Sequence, residues 1–334
     1  MKIWTVRAGR YGEQEQTCLD EGLVTIGWND LPDLRKFKTR EALFEEFQKR
    51  FDNNSNVSVG NKVGQMWRFA NEIAIDDVVA LPSKSQPVIH IGKITGDYKY
   101  EKKDKDGEVL HWRPVKWLKS IPRAEFDQDL LYSFGSLLTV SQVSRNHAVE
   151  RVLSLVDEKK PKLKTVGITF DDTEDEFDVE QFAKDQIIKI IDRKFKGHAF
   201  AKLVEQILKA QGYITQLSPP GADGGFDIMA ASGALGFENP RVCVQVKSTS
   251  AQVDVKILRE LQGVMRKVNS DLGLLVSWSG FNHKVLSEAK EEFFFIRLWS
   301  ANDIIDNIFK FYDKFSDEMK ADLPLKRFWM LVEE

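Results

Sequence analysis

The stretch from Gly224 to Lys247 constrains this chain most. Val242, Val244 and Val246 alternate with Cys243, Gln245 and Lys247. Successive side chains of a strand point to opposite faces, so the valines share one face and Gln245 and Lys247 share the other. Upstream, Pro219-Pro220-Gly221-Ala222-Asp223-Gly224-Gly225 reads as a turn, and Phe226-Asp227-Ile228 starts a second strand. If the two strands pair as a hairpin, Asp227 comes beside Gln245 and Lys247. A carboxylate and a second oxygen on adjacent strands can hold a hard divalent cation. Such a cation lowers the pKa of a bound water and offsets charge on a phosphate oxygen. A lysine beside them can stabilise a pentavalent phosphorus or help to deprotonate the water. The same three residues on the exposed face of an ordinary hairpin do no chemistry, so the spacing needs its context.

The chain has 334 residues, enough for two or three domains, each with its own core. Cys18 and Cys243 are the only cysteines, which supports neither a disulfide framework nor a zinc site. No signal-peptide core and no membrane-length apolar run is present, so a cytoplasmic protein without a membrane partner is expected. The net charge of −3 conceals an uneven distribution. Residues 1–120 carry 20 Lys and Arg against 18 Asp and Glu, and residues 191–315 carry 16 against 14. The acidity sits in 121–190, where Asp171 to Glu180 alone holds seven acidic residues, and in 316–334. A nucleic-acid protein need only be basic locally, so the totals neither establish nor exclude DNA.

Residues 1–120 read as a compact mixed unit with a strongly curved sheet. Strands are expected at 2–7, 23–26, 77–82, 88–100 and 111–117, with helices at 14–21, 40–51 and 61–73 and a charged hairpin tip at 102–107. Residues 121–190 read as a connection with helices over 126–138 and 140–156, then a solvated acidic linker. Residues 191–315 alternate as α-β-β-β-α-β-α-β-α, which suits a mixed sheet flanked by helices. Residues 316–334 are left as a tail.

Four motifs in order give the C-terminal third a family likeness. They are Phe200…Leu203-Val204-Glu205…Leu208…Ala210-Gln211-Gly212-Tyr213, then Ala222-Asp223-Gly224-Gly225-Phe226-Asp227, then Val244-Gln245-Val246-Lys247, then Glu260-Leu261-Gln262-Gly263 ahead of a Gly273-Leu-Leu-Val strand. Residues 199–305 thereby resemble the catalytic domain of Mrr-type restriction endonucleases, in the PD-(D/E)xK nuclease superfamily. The resemblance implies an α/β restriction-endonuclease-like fold, magnesium or manganese as cofactor, and double-stranded DNA as partner. It makes Asp227 the metal-ligating acid, Gln245 the stand-in for the second acid, and Lys247 the catalytic lysine. Glu205 is the helix acid that completes the metal site or orients Lys247. Ser248 stands where many relatives carry an arginine, at a phosphate contact, and His198 is a second candidate for the DNA backbone. Glu205 and His198 also read as ordinary helix-surface or capping residues.

The N-terminal domain resembles the PUA-like superfamily, most nearly its EVE-type and YTH-type readers. The likeness rests on Trp4-Thr-Val-Arg-Ala-Gly-Arg, Gly27-Trp28, Gln65-Met-Trp-Arg-Phe, Asp76-Asp77-Val-Val and Ile91-Gly-Lys-Ile-Thr-Gly-Asp-Tyr. It implies a modified base flipped into an aromatic pocket, which needs flat apolar walls and a few polar groups at the base edge. Trp28, Trp67, Tyr98 and Trp112 are candidate walls, and Asp97 is a candidate for the base edge. Arg7, Arg10 and Lys99 are candidate backbone contacts. Core packing is the competing role for each aromatic. Together the two resemblances imply a modification-dependent DNA endonuclease, acting as a homodimer or larger assembly. A nuclease reading plain sequence or RNA, and a binding protein that has lost cleavage, are the alternatives.

Overall fold

The computed structural model describes residues 1–51, 56–102, 109–157, 179–221, 224–249 and 251–327. Most of the expected hairpin tip, the acidic linker over 171–178, and Ala222-Asp223 lie outside the described residues. The chain divides into two compact units, 1–84 with 88–185, and 85–87 with 186–334.

The first unit runs β1 (Ile3–Val6), α1 (Glu15–Asp20), β2 (Leu23–Ile26), α2 (Arg40–Arg50), α3 (Asn56–Trp67), β3 (Val78–Pro82), β4 (Val88–Ile94), β5 (Lys99–Tyr100), β6 (His111–Pro122), α4 (Gln128–Phe134), β7 (Val140–Val143) and α5 (Ala148–Val156). Its curled sheet has the order β2-β6-β4-β3-β1-β7, with β5 also on β6. Only β1 and β3 run parallel. The register shifts between Ile91 and Gly92 and leaves Leu118 of β6 unopposed, a bulge that bends β6 against β4. Strand alternation sends Trp4 and Val6 into one core with Val24, Phe47, Met66 and Phe69. Ile3 enters the other, with Val78, Ala80, Phe126, Phe134 and Val152. Both sheet faces are covered, which is why β1 and β3 are buried at every residue.

Two segments differ from the sequence reading. Residues 140–156 are not one helix: Val140-Ser-Gln-Val is a strand that pairs antiparallel with β1, and α5 follows it. The helix expected at 61–73 starts at Asn56 and ends in a π-helical turn at Arg68–Glu72. Residues 121–156 therefore stand in the first unit, where β7 pairs the outer edge of β1, rather than in a connection after residue 120.

In the second unit α6 (Val179–Lys194), whose latter part belongs here, leads to α7 (His198–Ala210), β8 (Ile214–Leu217), β9 (Ile228–Ser232), β10 (Glu238–Lys247), α8 (Val255–Val268), β11 (Leu272–Ser277), α9 (His283–Glu291), β12 (Ile296–Trp299), α10 (Ala301–Phe311) and α11 (Asp317–Asp322). This is the α/β order expected. The sheet runs β12-β11-β10-β9-β8, with β8, β9 and β10 antiparallel and β10, β11 and β12 parallel. One face packs on α6, α7 and α10, the other on α8 and α9. Phe315, Met319 and Leu323 join the α7-side core, so residues 316–323 pack on the domain instead of trailing from it. Among the described residues no helix is long and apolar enough to cross a membrane.

Candidate active site

The β9–β10 register brings the acid to the amide. Ile228 pairs with Val244, so Asp227 stands one step before the pair and Gln245 one step after it. The backbone N–H of Asp227 donates to the Val244 carbonyl at 2.8 Å. In return Val246 N–H donates to Asp227 Oδ2 at 2.7 Å, so the carboxylate clamps the start of one strand to the end of the other. Gly225 leads into this position with φ +79°, and a Cβ there would lie 2.6 Å from Val264 Cγ2 of α8. The turn before Asp227 therefore requires glycine on both backbone and packing grounds.

The two faces of β10 are distinct. Val242, Val244 and Val246 lie in the α7-side core, and Cys243 lies in the α8-side core. The β10–β11 register is unbroken from Val242 to Lys247, so Gln245 and Lys247 share the Cys243 face. Asp227 stands opposite Gln245 in the register and so lies on this side as well. Burial, and then the Asp227 charge, push the Cys243 thiol up to about 11. Gln245 is 6% exposed and its Oε1 accepts no hydrogen bond. A buried acceptor left in that state costs about 1–3 kcal/mol. Lys247 is half-buried, and among the described residues its ammonium has no ion-pair partner. A carboxylate beside an unpaired amide oxygen is a donor set of the kind that hard divalent cations take. Among the described residues no cluster of three or more His, Cys, Asp or Glu side chains accompanies it.

Glu205 occupies a different place from the one the resemblance implies. Its Oε1 accepts from Thr215 Oγ at 2.9 Å and pairs with Lys209 Nζ at 3.0 Å. Thr215 lies opposite Ala230, a member of the α7-side core. The Glu205 carboxylate is thus committed on the far side of the sheet from Gln245 and Lys247. Ser248 Oγ accepts from Gly197 N–H at 2.8 Å, which ties the end of β10 to the start of α7 beside half-buried His198. This tie was not legible in the sequence, because its partners are 51 residues apart.

The aromatic candidates of the first unit fall into two groups. Tyr98 and Trp112 are buried at 3% and 5%. Leu34 N–H donates to Tyr98 Oη at 3.2 Å, the same hydroxyl is 2.7 Å from His111 Nδ1, and Trp112 Nε1 donates to the Glu101 carbonyl. These two rings are structural members of the core rather than open walls. Trp28 and Trp67 are half-buried and pack on the edge of that core. Trp28 also holds φ +64°, uncommon for a non-glycine residue and a mark of local constraint. Asp97 and Arg10 are exposed, the latter with its guanidinium over Tyr11. Lys99 is exposed with its ammonium 4.8 Å from the Trp112 ring centroid. Arg7 is buried, with its backbone N–H on the Thr139 carbonyl.

A five-stranded mixed sheet sets an acid, an amide oxygen and a lysine at the meeting ends of two strands. Residues 191–308 match the family model of the Mrr catalytic domain, described as a restriction endonuclease, and this part of the chain is a domain of that type. Residues 4–142 match a domain family of unknown function. No curated protein matches. Among solved structures, the MspJI restriction endonuclease in complex with a 27-mer oligonucleotide is 12% identical over 96% of this chain and 79% of its own, with a TM-score of 0.34. The DNA modification-dependent restriction endonuclease AspBHI is 15% identical over 92% and 80%, with a TM-score of 0.32. A crystal structure of a protein of unknown function is 16% identical over 32% of this chain, which spans 56% of that protein, with a TM-score of 0.24.

Proposed function

We propose that this chain is a modification-dependent DNA endonuclease. The reading is carried by one observation: Asp227 at the start of β9 stands on the same face as Gln245 and Lys247 at the end of β10, and among the described residues neither Gln245 Oε1 nor the Lys247 ammonium has a partner. Asp227 and Gln245 are the residues that would hold magnesium or manganese, which when bound supplies an activated water and offsets charge on the phosphate. Lys247 stands ready to hold a phosphate oxygen and to stabilise the charge that grows on it. The Val246 N–H fixes the Asp227 carboxylate in place. The Ser248–Gly197 bond holds the end of β10, and with it Lys247. Glu205 acts in this account as a structural partner of Thr215 and Lys209.

The first unit is the reader. Its PUA-like resemblance, together with the half-buried Trp28 and Trp67 and the constrained backbone of Trp28, supports a pocket for a modified base. Asp97 is placed in the open, where it can meet a base edge, and Arg10 and Lys99 are exposed cations for the phosphate backbone. Double-strand cleavage needs two such centres, so a homodimer or larger assembly on DNA is part of the reading.

The test is cleavage of matched DNAs, unmodified, cytosine-modified and adenine-modified, with magnesium, by wild type, Asp227→Ala and Lys247→Ala. The expected result is cutting of one modified class only, abolished by both substitutions. Equal cutting of all substrates removes the reader and keeps the nuclease. A second reading, a modified-DNA binding protein without cleavage, draws on the neutral Gln245 and on the commitment of Glu205 elsewhere. Binding of modified DNA with no cutting of any substrate would establish it.

A further inference from the structure

Arg113 of β6 is 2% exposed, and among the described residues its hydrogen bonds all run to backbone carbonyls. Its Nε donates to Phe69 at 2.6 Å, its Nη2 to Ala70 at 2.9 Å and its Nη1 to Gly96 at 3.3 Å. The first two carbonyls belong to the π-helical turn Arg68–Glu72, which follows Trp67 at the end of α3. The third belongs to the connection between β4 and β5, one residue before Asp97. The last carbonyls of a helix have no partner within it, and a cation is favoured beside them. Capping alone does not account for an arginine. Burial lowers its pKa, Asp97 leads the carboxylate charges that oppose this, and among the described residues no carboxylate forms an ion pair with it. A buried charge without an ion partner is costly. What the guanidinium offers in return is a planar fork whose fixed donors reach three carbonyls from two segments at once, which the point charge of a lysine cannot do. Trp67 is half-buried and Asp97 is exposed, so each clamped segment presents one kind of group that a base needs, a flat wall or a polar edge partner.

Resting on the reader role given to the first unit above, we propose that Arg113 is a positioning residue for modified-base recognition. Its guanidinium sets the placement of Trp67 relative to Asp97 by holding the π-helical turn and the Gly96 carbonyl to one rigid plane. Arg113 itself touches no base. Three further features fit this role. π-Helical turns are frequent at functional sites, and this one offers two successive carbonyls to a single side chain. Gly96 lets the connection lie close on β6, since a Cβ there would stand 2.8 Å from Pro114 Cγ, and Thr95 N–H donates to the Pro114 carbonyl at 3.0 Å. Phe69 and Tyr98, one from each clamped segment, meet edge to face with ring centroids 6.2 Å apart. A displacement of about 1 Å is enough for a site to lose much of its discrimination, so the clamp bears on selectivity as well as on stability.

The experiment is duplex binding by the full chain without added metal, read as fluorescence anisotropy. The probes are a duplex carrying 5-methylcytosine, one carrying N6-methyladenine and an unmodified duplex of the same sequence. Selectivity is the affinity for the better modified duplex divided by that for the unmodified one. Arg113→Lys keeps the charge and loses the fork. It is expected to lower selectivity at least about 10-fold while affinity for the unmodified duplex stays as in wild type. Arg151→Lys is the control, since Arg151 is a buried arginine of the same unit that bridges α4 and α5. It is expected to lose stability in urea and to keep the wild-type selectivity. Should Arg113→Lys fail to fold, Gly96→Ala displaces the third carbonyl and leaves the bonds to Phe69 and Ala70 in place. That variant is expected to lower selectivity about 3-fold. Wild-type selectivity in folded Arg113→Lys, or in Gly96→Ala where the first variant does not fold, would overturn the positioning role. An equal loss of selectivity in Arg151→Lys would overturn it too, by showing that any weakened core in this unit has the same effect. A wild-type chain that binds all three duplexes equally overturns the reader role itself, and the inference with it.

Discussion

Asp77 of the first unit and Asp227 of the second are both carboxylates tucked against the end of a strand, and they are used in opposite ways. Asp77 is 4% exposed and saturated. It accepts from Lys2 N–H at 2.7 Å, Trp4 Nε1 at 3.0 Å and Ala74 N–H at 3.1 Å, and so joins β1 to the turn before β3. Arg113 in the same unit is equally occupied. Its guanidinium donates to the carbonyls of Phe69, Ala70 and Gly96, and burial lowers its pKa against the opposing charges of Asp97 and Asp77. Asp227 accepts one backbone N–H and stands opposite Gln245, whose Oε1 accepts no hydrogen bond among the described residues. A buried charge whose partners are complete holds a fold together, and one whose neighbourhood is incomplete is available to a ligand.

The contrast is sharpest in a pair of alanine substitutions. Asp227→Ala is expected to abolish cleavage while the urea midpoint moves by less than about 1 kcal/mol equivalent, because only one hydrogen bond is lost. Asp77→Ala is expected to destabilise the first unit by about 3 kcal/mol or more, since three donors lose a charged acceptor in a buried site. Equal stability losses from both would break the comparison. A smaller effect is expected at Tyr98. Tyr98→Phe deletes the hydroxyl shared by Leu34 N–H and His111, at a cost of about 1–3 kcal/mol in urea unfolding. Modified-base selectivity is expected to survive Tyr98→Phe and to be lost in Trp28→Ala, measured as the ratio of cleavage on modified and plain DNA.

Much of the second unit was legible in the sequence, because its chemistry is local. The alternation from Val242 to Lys247 sorts one strand into a valine face and a Cys243–Gln245–Lys247 face, and the structure keeps that sorting without a break. Pro, Gly and helical periodicity marked the other elements in their observed order. What the sequence hid depends on register between distant segments. The helical stripe that flanks Glu205 does not say which face of the sheet α7 will cover, and this is what separates Glu205 from Gln245. Val140-Ser-Gln-Val lies next to the helical α5 pattern and carries only four residues of alternation, too few to announce a strand until β1 offers its edge. Tyr98 and Trp112 illustrate the same limit: an aromatic residue near a strand suits a base pocket or a core equally well, and only its burial decides.

Acid sensitivity provides the finest test of the idea that the charges of the first unit are architectural. Asp129 of α4 accepts from Arg151 Nη1 at 2.6 Å and Nη2 at 2.8 Å and from Asn146 Nδ2 at 2.9 Å, bridging α4 to α5. Burial acts to raise its pKa, but the hydrogen bonds from Arg151 and Asn146 and the Arg151 charge outweigh it, and the carboxyl is held below its ordinary value. A carboxyl with a depressed folded-state pKa contributes stability that is present in full above the unfolded value near 4, and loses it as the pH falls through the folded one. The urea midpoint of the first unit is therefore expected to decline below about pH 4, and Asp129→Asn is expected to be less stable at pH 7 and to decline less on acidification. An acid limb as steep in Asp129→Asn as in wild type would show that the Asp129–Arg151 bridge is not what acid breaks in the first unit.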